Sequence, residues 1–268
     1  MTVTTVTPLA WRLSAAQWDV LTELLGLEGY PSPIQVCSLG RTRLEHARVR
    51  ADVCIELTRL GLLRAGRMDA DLEAALRLLH WPARWVDSVW LADAVADQPV
   101  RVVAAQGGAA GVCALQHPDQ PGATLLEVIP PAGLAAAVVS RLPAHPPGRS
   151  CAVTVPLQSN DGWQPSAAQL LVTASPARTS AERASAAAAA ILDKPHARAG
   201  QIAANARDPS SGKVCRSDVL RWCDNVDGRY QVTVNRRSGE SPSLTIGPSD
   251  PRRLGDGVQR LLAALQPR

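Results

Sequence analysis

Apolar residues recur with the helical period in the first third of the chain and with a period of two thereafter. Leu13-Ser14-Ala15-Ala16-Gln17-Trp18 opens a helix: Ser14 and Gln17 form a capping box, and Leu13 is placed to staple onto Trp18. Leu21, Leu24 and Leu25 continue the stripe, and Gly26 offers a left-handed stop. A second helix is predicted over Thr42 to Leu60, ending at Gly61. A third starts at Asp69, sets Leu72, Leu76 and Leu79 on one face, and cannot pass Pro82. Strands are predicted at Trp85 to Leu91, Val100 to Gln106, Gly111 to Gln116 and Thr124 to Ile129. Their connections are too short for parallel crossovers, so these strands should be antiparallel neighbours. A helix from about Ala132 to Arg141 closes the run, with Leu134, Val138 and Leu142 aligned.

Pro143 to Ser150, rich in Pro and Gly, reads as a linker, after which the plan recurs. Ser166-Ala167-Ala168-Gln169 is another capping box, and Ser180 can cap an alanine-rich helix running to Leu192. Strands follow over Gly200 to Arg207, Val214 to Cys223, Arg229 to Asn235 and Leu244 to Ile246. An Asp-Gly turn at Asp227-Gly228 makes a hairpin whose second strand alternates apolar and polar from Tyr230 to Asn235. Asp250-Pro251 then caps a last helix with Leu254, Val258, Leu261, Leu262 and Leu265 in one stripe. Leu126-Glu127-Val128-Ile129-Pro130 and Leu244-Thr245-Ile246-Gly247-Pro248 occupy matching places before the closing helix of each half. The expected fold is therefore α+β: a central antiparallel β-sheet with two helical bundles, a pseudo-twofold internal duplication within one domain spanning residues 1–268. Its halves are residues 1–142 and 151–268, joined by the linker 143–150.

Composition narrows the function classes. At 268 residues, 46% apolar and 19% charged, the chain can bury a sizeable core. The net charge of +4 does not point to nucleic acid, because Lys194 and Lys213 are its only lysines and the arginines are scattered among acids. Six cysteines form no CxxC pair and five histidines no HxxxH spacing, so buried thiols in a reducing compartment are expected, and no metal. The N-terminus lacks the charge and apolar core of a secretory signal, and no apolar run is long enough to span a membrane. A cytoplasmic location is the expectation.

Catalytic patterns are missing. Gly107-Gly108-Ala109-Ala110-Gly111 lacks the GxGxxG order and reads as a hairpin turn, and Ser211-Gly212-Lys213 lacks the rest of a phosphate loop. No GxSxG elbow occurs. The carboxylate pairs Asp69/Asp71 and Asp224/Asp227 sit at a helix start and a turn, and His80 sits at a helix end. Trp81, Trp85 and Trp90 read as core, with an exposed aromatic surface as the alternative.

Motifs spread over most of the chain resemble the EspG family, cytosolic chaperones of actinobacterial type VII (ESX) secretion systems. They include the run from Ala16 to Leu27, Glu56 to Leu63, Trp81-Pro82-Ala83-Arg84-Trp85-Val86-Asp87, Val100 to Gly108, Gly200-Gln201-Ile202 and Asp224 to Tyr230. The resemblance implies a non-enzyme without cofactors that covers the apolar tip of the PPE subunit in a PE–PPE heterodimer. In the family the binding surface uses the loop between the second and third strands and the helices of the second half. By that resemblance the partner-binding residues are Ala92, Asp93, Val95 and Asp97 in the loop, and Leu170, Leu171 and Ile191 in the helices. Competing readings are an enzyme with a site built from scattered residues, and a basic nucleic-acid-binding module. The second requires Arg216, Arg221, Arg236 and Arg237 to share a face.

Overall fold

The computed structural model describes residues 9–36, 42–157, 180–236 and 241–265. The N-terminal helices follow from their caps. Helix α1 (Ala15–Leu24) carries the Ser14/Gln17 capping box, α2 (Arg43–Arg59) a Thr42/Glu45 box, and α3 (Ala70–His80) the Asp69 side chain on Leu72 N–H. Leu13 and Trp18 are both fully buried in one apolar cluster, as the staple requires. Gly26 and Gly61 adopt φ of 63° and 77°, ending α1 and α2 where L-residues would be strained.

Strand β1 (Ala10–Ser14) precedes α1, and a two-residue pair β2 (Leu63–Arg64) and β3 (Arg67–Met68) separates α2 from α3. Then come β4 (Arg84–Leu91), β5 (Val100–Gly107), β6 (Ala110–Gln116) and β7 (Ala123–Ile129). A 3-10 turn at Pro131–Gly133 leads into α4 (Leu134–Val139), shorter than the helix expected from Ala132 to Arg141. After the linker follow β8 (Val153–Pro156), α5 (Ser180–Leu192), β9 (His196–Arg207), β10 (Val214–Arg216), β11 (Leu220–Asn225), β12 (Gly228–Asn235), β13 (Ser243–Pro248) and α6 (Pro251–Ala264). The single strand expected from Val214 to Cys223 is broken at residues 217–219, where Ser217 N–H and Oγ are both engaged with the Ala204 backbone. The capping box at residues 166–169 lies outside the described residues.

Eleven strands form one sheet in the order β1-β7-β6-β5-β4-β9-β11-β12-β13-β8, with β10 on β9. Every strand pair in it is antiparallel. Outward from the central β4/β9 pair, each arm runs through its successive strands and ends on the strand that opens its half, β1 or β8.

Pleating sorts the side chains. On one face α1, α2 and α3 cover Leu13, Val103, Ala105, Ala114 and Leu126 of the first arm. Farther along that face, Ala188 and Ile191 of α5 pack with Val155, Tyr230, Val232, Leu244 and Ile246. On the other face α4 and α6 lie over Val86, Val102, Ala104, Ile202, Leu220 and Trp222. The stripe of α6 is buried as its spacing predicts, with Leu254 and Val258 at 0% exposure.

The linker is bound down. Asp224 and Arg229, 0% and 1% exposed, form a bidentate pair through Nε at 2.7 Å and an Nη at 2.8 Å. The same Arg229 donates to the Pro143 carbonyl, and its backbone exchanges hydrogen bonds with Pro146 and Gly148. Gly228 has φ of 122°, and a Cβ there would sit 2.5 Å from the Pro147 carbonyl oxygen, so this position needs glycine on two counts. The turn residues of the hairpin are Val226 and Asp227, not Asp227 and Gly228, with Gly228 already paired to Asn225.

Asp224→Ala leaves a guanidinium buried without its partner and should cost about 3–5 kcal/mol in urea unfolding; a loss below about 1 kcal/mol would contradict the geometry. Burial pushes the thiols of Cys113 and Cys223 up to about 12 and about 11, above the ordinary 9.0. The fold thus favours both protonated thiols: the stability they add is complete below pH 9 and is lost as pH rises through 11 to 12. At pH 8 a thiol reagent should label exposed Cys151 and Cys215 rapidly but reach Cys113 and Cys223 only on unfolding.

Candidate functional site

The connection from β4 to β5, residues 92–99, is shaped by Asp93. Its carboxylate accepts from the Val95 N–H at 2.9 Å and its carbonyl from the Ala96 N–H. This local turn holds Val95 outward at 87% exposure, while Ala92 packs partly against the sheet and Asp97 faces solvent.

Helix α5 presents less than expected. Ile191 is 3% exposed and belongs to the core under α5, so its side chain is not surface; the 3.6 period turns it inward with Ala188. Ala186, Ala187 and Ala190 face out instead. Leu170 and Leu171 lie outside the described residues. The end of α5 is tied to the β11–β12 turn: Asn225 Nδ2 donates to the Ile191 carbonyl at 3.0 Å, and Lys194 pairs with Asp227.

Among the described residues, no helix covers the face of the central strand pair between the α1–α3 cluster and α5. Register puts Leu91 beside Ala199, Val89 beside Gln201, Asp87 beside Ala203 and Trp85 beside Asn205, all on this face. Eight residues of strand make the stripe about 24 Å long. At the end near residues 92–99, Leu91 is 38% exposed and Gln201 is exposed. At the other end Trp81 is 69% and Val214 44% exposed. Arg207 stacks 3.9 Å over the Trp81 ring and 5.9 Å from Trp85. Of the three tryptophans expected in the core, only Trp90 is deeply buried, Trp85 is partly so, and Trp81 is surface. Residue 81 follows the last helical turn, beyond the periodicity that buries Leu72, Leu76 and Leu79.

The middle of the stripe is polar and closed by its own contacts. Arg216 grips both Asp87 oxygens at 2.7 and 2.9 Å and also reaches Asn205, which donates to Asp87. The Asp87 hydrogen bonds, outweighing desolvation, raise the Arg216 pKa. Arg236 in turn pairs with Asp218, and Arg237 lies outside the described residues. Two of the four arginines that a nucleic-acid surface would need are thus already neutralised.

The groups weighed for chemistry have local tasks. Each ring nitrogen of His80 faces a carbonyl oxygen, of Leu76 and Gly29. Asp208 accepts from Ser210 and Ser211 in the β9–β10 turn, which holds its carboxyl well below the usual range. The Gly107-Gly108 turn joins β5 to β6. Among the described residues, no group of three His, Cys, Asp or Glu side chains is placed to hold a metal ion. No described helix is long and apolar enough to cross a membrane. The arrangement suits binding by a face flanked by helices, apolar at its two ends and polar in the middle. Arg216→Ala should strand the Asp87 carboxylate with Asn205 alone and lower stability by about 1–3 kcal/mol in thermal or urea unfolding. A variant as stable as the parent would show the pair to be dispensable.

Comparison with known proteins bears on what such a stripe binds. The profile of the EspG family matches residues 14–260. Among solved structures, the chain is similar to the Mycobacterium tuberculosis type VII secretion system chaperone EspG5, determined in complex with a PE25–PPE41 dimer. That likeness has a TM-score of 0.67 at 16% identity and covers 95% of this chain and 96% of the other, so it speaks to the fold. A search of curated proteins gave no match.

Proposed function

The chain belongs to the EspG family, and on that premise we propose that it is a cytosolic type VII secretion chaperone. Its client is a PE–PPE heterodimer, held through the apolar tip of the PPE subunit, kept from aggregating and directed to its secretion system. The observation that carries this reading is the family match over residues 14–260, on a fold shared with a chaperone solved with such a dimer. The β4/β9 face supports it, because the large apolar side chains exposed at its two ends, Leu91 and Trp81, suit contact with an apolar helical tip. The role is binding without catalysis, with no nucleic acid and no cofactor. Matching strand orders in the two arms favour an internal duplication within one domain.

In this reading Ala92, Asp93, Val95 and Asp97 touch the client, as do Leu170 and Leu171. Ile191 contributes by seating α5 rather than by contact. Asp93 and Asp97 select the client by charge.

Co-expression with PE–PPE pairs from the same genome, followed by size-exclusion chromatography with mass determination, tests the proposal. One pair should give a stable peak holding one copy of each chain, and the others none. Failure with every well-folded pair would remove the function while leaving the fold. With the cognate pair, Asp97→Lys should weaken binding by about 1 kcal/mol or more, and unchanged affinity would end its role in selection.

A further inference from the structure

The β11–β12 turn closes a hairpin and carries Val226 at 79% exposure. Among the described residues, Val95 and Val226 are the two most exposed large apolar side chains. Strand register places them at the same end of the sheet. Leu91 pairs with Ala199, Ala199 with Cys223, and Asn225 with Gly228 across the turn. The two hairpins are separated by β9 alone. Their midlines lie three strand spacings apart, about 14 Å.

The backbone on both sides of Val226 is held from several directions. Asn225, 3% exposed, accepts from the Asp227 N–H at 2.9 Å and donates to the end of α5. Lys194 pairs with Asp227, His145 Nε2 meets the Asn225 carbonyl at 3.2 Å, and Pro147 packs against Gly228. A valine at 79% exposure gains little for the fold from such support. A side chain carried on a fixed backbone loses little entropy when a partner covers it, which is the property of a binding anchor.

We infer that Val226 and Val95 form a paired apolar clamp for one helix of the client, seated across this end of the sheet and continuous with the β4/β9 stripe. This rests on the chaperone reading above. A helix with its side chains is about 10–12 Å wide, which matches the space between two tips about 14 Å apart. Asp93 and Asp97 stand on one tip, whereas Asp227 on the other is already paired with Lys194, so the helix should carry basic residues on the side that meets Val95.

The test is titration of the cognate PE–PPE pair against the full chain and its Val226→Asp, Val226→Ser, Val95→Asp and Leu44→Asp variants. Leu44, 63% exposed on α2 in the first helical cluster, is the control. All four should melt with the parent, since none of these side chains is buried. Both aspartates at the tips should weaken binding by about tenfold or more, Val226→Ser by less, and Leu44→Asp by under about twofold. If Val95→Asp weakens binding while both Val226 variants stay within about twofold of the parent, the clamp is wrong and the chaperone reading stands. If Leu44→Asp weakens binding as much as Val226→Asp, the effect is general charge and the clamp is likewise wrong. A parent chain that captures no pair overturns both.

Discussion

Eight consecutive residue pairs between β4 and β9, from Arg84–Ala206 to Leu91–Ala199, join the two runs of strands. Without that seam each half would expose a long, flat edge, with unpaired N–H and carbonyl groups open to any other strand. With it, both arms become one sheet whose two edges are the short β1 and β8. The seam is also sealed across its back, where α4 and α6 contact each other over Val86, Ile202 and Leu220. No helix of the described residues covers its front between the helical clusters, and that front is the candidate site. One pairing thus creates the fold's continuity and its exposed surface together.

A second constraint is the Asp224–Arg229 pair. Two opposite charges at 0% and 1% exposure are tolerated because the guanidinium donates to both carboxylate oxygens and to the linker carbonyl of Pro143, with Arg198 3.6 Å from the same carboxylate. Gly148 lies against the Tyr230 ring, so the linker threads a gap that a larger residue would close. What composition marks as a loose Pro- and Gly-rich connection is in fact bonded at several points to one arginine. The composition is the same in either case: Pro and Gly suit a linker that swings free and one that must follow a neighbouring strand closely.

Much of the fold was legible in the chain. Four helices start within a residue of where the sequence places them, at Ser14, Thr42, Asp69 and Asp250, since helix starts depend on neighbours in sequence. The strands from β4 to β7 and the hairpin at β12 were readable for the same reason. Strand β1 escaped, although Trp11 and Leu13 alternate with Arg12 and Ser14, because five residues ahead of a strong capping box give a short signal. Strand β8, four residues long, was absorbed into the linker's surroundings. Of the candidate site, the loop with Val95 was found through family resemblance. Val226 gives no signal of its own, because Asp-Gly chemistry marks a turn and nothing more. Trp81 reads as core, with an exposed aromatic surface as the alternative, because an indole is usually largely buried.

Local rules therefore determined which segments are helix or strand, where they start, and that no known catalytic motif is present. They act through hydrogen bonds and dihedral preferences spanning three or four residues, and those are written in the sequence. Which apolar side stays uncovered was decided by tertiary structure. Ile191 and Val226 are both β-branched and apolar, yet one is at 3% exposure and the other at 79%. The difference is the neighbour each meets: Ile191 faces a sheet built from strands distant in sequence, and Val226 sits where a turn carries the chain past the end of that sheet. Burial depends on contacts that exist only once the arms have been joined: the helical period sets Ile191 beside Ala188, but not which side of the helix is covered.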